Sequence, residues 1–131
     1  MYRAGLESVP GLILPPEKEW AKNVYWMYSV LLTDDFGMPR DELMSELAKR
    51  GIETRALFIP MHLQPAFLEI GLFRGETYPV AEELGERGLY LPSGSGLGEE
   101  QIDFVCKAIQ EISRGAGQQA PATMRTLEDP C

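Results

Sequence analysis

Arg55-Ala-Leu-Phe-Ile-Pro-Met-His-Leu-Gln-Pro65 joins an apolar, strand-like run to a proline stop, the one histidine of the chain and a second proline. The residue before a proline is pushed out of the α region, so the run arrives at Pro60 extended. Upstream, Lys49-Arg50-Gly51 has the charge and the αL-tolerant residue that end a helix. That helix opens near Pro39, with Asp41 and Glu42 in its first turn and Leu43, Met44 and Leu47 as its apolar stripe. The spacing therefore predicts a helix, then a strand over Ile52–Ile59. Downstream it predicts a short helix over Gln64–Gly71, a loop over Leu72–Thr77 and a helix over Pro79–Arg87.

Two further strands flank this centre. Val24-Tyr-Trp-Met-Tyr-Ser-Val-Leu-Leu32 is rich in aromatic and β-branched residues and apolar on both faces. Gly88-Leu-Tyr-Leu91 is the third strand. Ile102, Val105, Ile109 and Ile112 recur at offsets of three and four, which predicts a last helix over Glu99–Ser113. Met1–Ser8 reads as the end of a helix stopped by Pro10-Gly11, as though the chain began partway through something larger. From Gly115 the composition predicts a flexible tail to Cys131. Together these elements predict an α+β two-layer sandwich, with a small, mostly antiparallel sheet and helices packed on one face.

The chain has 131 residues, 20 acidic against 12 basic, and a net charge of −8. That is one domain, with a balance that opposes nucleic-acid binding. No apolar run approaches the length needed to span a bilayer, and no signal-peptide core is present. Two cysteines far apart, Cys106 and Cys131, suit reduced thiols and a cytoplasmic setting. One histidine with two distant cysteines cannot supply a metal site. Ser93-Gly-Ser-Gly-Leu-Gly98 superficially resembles a phosphate loop, but its preceding strand is too short and it reads as structural.

Five ordered blocks resemble the nucleotide-sugar aminotransferases of the DegT/DnrJ/EryC1/StrS family, which includes perosamine synthetases. They are Gly-Leu-Ile-Leu-Pro, Tyr-Trp-Met-Tyr, Lys-Arg-Gly-Ile-Glu-Thr-Arg, Phe-Ile-Pro-Met-His-Leu-Gln-Pro and Leu-Pro-Ser-Gly with the following Glu-Glu-Gln-Ile. The resemblance covers about Gly5–Ile112 and fits only the C-terminal third of such enzymes. It implies residues 1–114 as the small domain of a fold-type I aminotransferase, with 1–10 the end of an interdomain helix and 115–131 a tail. It also implies a homodimeric enzyme that uses pyridoxal phosphate (PLP) to move an amino group from glutamate to a keto-sugar nucleotide.

The Schiff-base lysine and phosphate cup of the family lie in the large domain. Lys18, Lys22, Lys49 and Lys107 lack the family's Ser-x-x-x-x-Lys setting. This chain alone is therefore expected to hold no PLP and to be inactive, with a missing N-terminal large domain as its partner.

For substrate contact the resemblance points to His62, Gln64, Arg55 and Tyr28. His62 has two readings: a histidine hydrogen-bonded within a loop, or a partly exposed ring on a rigid, proline-flanked lip facing the active site. Arg55 is either a solvated edge charge or a substrate-facing base. Trp26 is assigned to packing. The alternative to the whole reading is a free-standing α+β module that binds a ligand or protein through its aromatic sheet face.

Overall fold

The computed structural model describes residues 1–119. Its sheet runs β1 (Leu12–Ile13), β2 (Tyr28–Leu32), β4 (Gly88–Leu91) and β3 (Arg55–Ala56), every neighbour antiparallel. The helices are α1 (Tyr2–Leu6), α2 (Arg40–Lys49), α3 (Pro65–Glu69), α4 (Pro79–Arg87) and α5 (Glu99–Gln119). Single 3₁₀ turns sit at Asp34–Phe36 and Met61–Leu63.

Strand alternation divides the sheet into two unlike faces. Tyr28, Val30 and Leu32 on β2, with Leu89 and Leu91 on β4, are buried on one face beneath α1, α2 and α5. Leu6, Leu43, Leu47, Val105, Ile109 and Ile112 complete this core. The predicted helix stripe of α5 thus lies where its spacing put it. Gly5 lets α1 approach α5 closely, because a Cβ there would sit 2.7 Å from Cys106 Sγ.

The strand expected from Val24 begins only at Tyr28. Asn23 Oδ1 accepts the Tyr25 N–H at 2.8 Å, and Glu17 takes both the Asn23 N–H and the Tyr25 hydroxyl. These local bonds compete with a ladder. They hold Tyr25 at φ 49°, a left-handed kink that throws Trp26 outward. Trp26 is 76% exposed, so its assignment to packing is corrected. The strand expected over Ile52–Ile59 pairs only at Arg55–Ala56, because its neighbour β4 gives way to α4 on the far side of Gly88.

One local bond closes the start of α5: Gln101 Oε1 accepts the Gly98 N–H at 2.9 Å, half of a capping box. Its end overruns the predicted boundary. Gly115–Gln119 are helical, not tail, since Ala116 buries itself against Gly37. The rest of the expected tail, 120–131, lies outside the described residues. No helix among the described residues is long and apolar enough to cross a membrane.

Candidate functional site

The second sheet face is only half covered. Register places Ser29 opposite Tyr90 and Tyr90 opposite Arg55, so a hydroxyl, a phenol and a guanidinium form one row across three strands. The next row is apolar, Ile13, Leu31 and Gly88, with Leu57 continuing beyond β3 through its N–H to Gly88 O at 3.0 Å. Beside the polar row, a hollow of about 270 Å³ is lined by Met27, Thr54, Arg55, Tyr90 and Ser93. Ser93 Oγ donates to Trp26 O at 3.2 Å, which brings the exposed indole segment to the same rim.

Arg55 is exposed, and its Nη2 meets Glu53 Oε1 at 3.2 Å. Both partners lie in solvent, so this pair is worth little and leaves the guanidinium able to change partners. Tyr28 lies on the opposite face from Arg55. Its ring is sandwiched by Tyr2 at 4.7 Å and Tyr25 at 5.5 Å. Burial raises its pKa, and its hydroxyl has no hydrogen-bond partner among the described protein atoms.

His62 is 4% exposed, which overturns the expectation of a partly exposed ring. The cause is a partner twenty residues away in sequence. Nε2 lies 2.8 Å from Glu82 Oε1, and a carboxylate can only accept, so the ring nitrogen donates. The same oxygen accepts the Tyr78 N–H at 2.8 Å. The Tyr78 ring stands edge-on to the imidazole at 4.8 Å. The Tyr78 N–H first, and His62 second, hold the Glu82 carboxyl below its ordinary value of 4.5.

Gln64 is half-buried and lines the groove edge, its Nε2 tied to the same segment by donating to Ile59 O at 3.0 Å. The proline-flanked segment is therefore braced from within. What it presents to solvent is apolar: Phe58 (67% exposed), Ile59, Met61 and Leu63. Between this segment and α4 runs a groove of about 580 Å³, lined by Leu57, Phe58, Pro60, Met61, Ala81 and Leu84.

The four residues singled out in the sequence are thus dispersed: Tyr28 beneath the sheet, Arg55 above it, His62 buried in the lip and Gln64 at the lip's groove edge. Sequence reasoning missed Ser29, Tyr90 and Glu82. Only Glu82 left a trace, four residues after Tyr78 at helix-start spacing.

The DegT/DnrJ/EryC1/StrS aminotransferase family model matches residues 1–110. GDP-perosamine synthase of Escherichia coli O157:H7 is 39% identical over 90 residues, which cover 69% of this chain and 23% of that protein. GDP-perosamine synthase of Caulobacter vibrioides is 35% identical over 91 residues, 70% of this chain and 24% of that one. Among solved structures, S. venezuelae DesV in complex with a ketimine intermediate superposes with a TM-score of 0.74 at 33% identity. That match covers 86% of this chain and 29% of the other. The aminotransferase TlmJ from Streptoalloteichus hindustanus gives 0.76 at 26% identity, covering 88% and 30%. The chain spans less than a third of the length of these relatives.

Proposed function

The chain belongs to the DegT/DnrJ/EryC1/StrS aminotransferase family, and from that premise we propose that it is the C-terminal domain of a PLP enzyme transferring an amino group from glutamate to a keto-sugar nucleotide. The observation that carries this reading is the match through residues 1–110, joined to relatives named GDP-perosamine synthase.

The residues of this chain do not fit the cofactor by themselves. A Schiff-base lysine acts from a desolvated pocket. Lys18, Lys22, Lys49 and Lys107 are all exposed, and none lines the hollows described above. PLP, which supplies an electron sink, is therefore assigned to a preceding large domain.

What this chain contributes is binding surface. Arg55, the accessible cation of the polar row, is placed to pair with a phosphate-type oxygen by a charge-assisted, two-pronged bond. Tyr90 and Ser29 extend the row with a ring face and hydroxyls. His62 and Gln64 serve the substrate through the shape of the lip they brace, and Tyr28 through its place beneath the sheet. The lip's apolar crest, Phe58, Ile59, Met61 and Leu63, then packs on the large domain or on the second subunit of a homodimer and keeps water out of the cleft.

A chimera tests the reading: residues 1–110 replace the matching part of the E. coli O157:H7 GDP-perosamine synthase. Amino transfer from glutamate to the relative's keto-sugar nucleotide is expected to persist. In that chimera Arg55→Ala should lower kcat/KM by about tenfold or more. A chimera that folds and binds PLP yet transfers nothing would refute the assignment.

A further inference from the structure

We propose that residues 58–84 form an arm that melts as a unit while the sheet and α5 stay folded, and that the His62–Glu82 pair is the latch holding its two legs together. This goes beyond the aminotransferase reading and does not depend on it.

Of the described residues between Ile52 and Gly88, His62 alone is buried. Neither α3 nor α4 buries a residue. The arm instead turns large apolar groups outward, with Ile70 at 70% and Val80 at 73% exposure beside Phe58. Buried apolar contact is what couples a segment to global unfolding, and a segment without it opens at low cost.

The arm's cohesion is internal. Phe67 meets Phe73 edge-on at 5.9 Å, α3 packs on the Met61–Leu63 turn, and the latch bridges the first leg to the start of α4. Glu82 Oε1 is the shared acceptor, so one carboxylate fixes the His62 ring and the Tyr78 backbone together.

Attachment to the core is concentrated at the base. Both legs leave the sheet side by side at Leu57 and Gly88. Arg40 Nη1 donates to Gly85 O at 2.6 Å, and Arg87 Nη1 meets Asp34 Oδ1 at 2.6 Å. Gly85 also sits so close to the first leg that a Cβ there would be 2.8 Å from Pro60 Cδ. Below these contacts the core is continuous, and above them no residue of the arm joins it: the one buried ring, His62, meets Glu82 and Tyr78 within the arm.

Native-state hydrogen exchange across low denaturant concentrations tests the proposal on the chain as it stands. The reporters in the arm are the amides of Leu63, Leu68, Leu72 and Glu82, bonded to Pro60, Gln64, Phe67 and Tyr78 carbonyls. Those in the core are Leu47 in α2 and Ile109 in α5. The arm amides are expected to exchange through a separate opening, faster and with a weaker denaturant dependence than the core pair.

Glu82→Ala removes both bonds to Oε1 and should speed the arm amides by about tenfold or more, while leaving Leu47 and Ile109 unchanged. Glu83→Ala, an exposed neighbour, should change neither set. Arm and core amides sharing one opening in the parent chain would overturn the proposal. So would a Glu82→Ala variant that unfolds globally or accelerates core and arm alike.

Discussion

Gly11 and Gly51 have almost the same left-handed φ, +71° and +77°, in quite different surroundings. A Cβ on Gly11 would lie 2.0 Å from Phe36 N and 2.6 Å from Phe36 Cα, inside backbone that cannot swing aside. A Cβ on Gly51 would meet nothing within 4 Å. Gly51→Ala therefore isolates the left-handed penalty of about 1–2 kcal/mol, reduced by the roughly 0.4–1 kcal/mol that alanine removes from unfolded-state entropy. Gly11→Ala adds an overpacking cost of about 1–3 kcal/mol. It also displaces Gly11 O, which accepts the Thr33 N–H at 2.8 Å and closes the end of the β1–β2 pairing. The net loss is about 2–4 kcal/mol, a large part of the roughly 5–15 kcal/mol that a domain has. In thermal melts of the two variants beside the parent, Gly51→Ala should lower Tm by a few degrees and Gly11→Ala by roughly 10 °C or more. Equal midpoints for the two alanine variants would refute the argument from close approach.

Tyr28→Phe removes a hydroxyl with no described protein partner and should change stability by less than about 1 kcal/mol, whereas Tyr2→Phe forfeits the 2.8 Å bond to Pro92 O and should cost about 1 kcal/mol; denaturant midpoints of both separate the cases. The lowered pKa of Glu82 gives stability that is complete above 4.5 and fades as pH falls below that value, because the unfolded chain then takes up the proton first. The advantage of the parent over Glu82→Gln in denaturant midpoint should accordingly shrink on acidification, and a constant gap would count against the charge on this carboxylate. Incubation with PLP followed by borohydride should leave the isolated chain without stoichiometric label on its four exposed lysines, as read by intact mass.

The elements legible in the sequence are those set by local rules. The stripe Ile102, Val105, Ile109 and Ile112, the proline start of α4 and the four residues of β4 all follow from spacing and punctuation. Where reading failed, a distant or competing partner decided. β2 starts late because Glu17 and Asn23 capture the backbone ahead of it. α5 overruns two glycines, Gly115 and Gly117, because Ala116 between them finds Gly37. The site suffered most: Ser29, Tyr90 and Arg55 become neighbours only through register. No pattern around His62 announces an acceptor twenty positions on. The proline-flanked segment was visible, but which of its side chains faced inward was not, since apolar residues outside and a histidine inside invert the usual burial preference.

The close approach of α1 to α5 gives the molecule a chemical clock. Cys106 is buried beneath Gly5, and burial pushes its thiol above the ordinary 9.0, so the thiolate that reacts with alkylating agents is scarce as well as enclosed. A Cys131→Ser variant leaves Cys106 as the only thiol in the sequence. Its alkylation rate would then measure how often the first helix lifts from the last. Because Gln110 Nε2 is tied to Gly5 O at 2.6 Å on the same seam, Gln110→Ala should quicken that clock while Ser93→Ala, on the far side of the sheet, should not. The seam joining the two ends of the fold can thus be timed by mass spectrometry, one covalent adduct for each productive lifting.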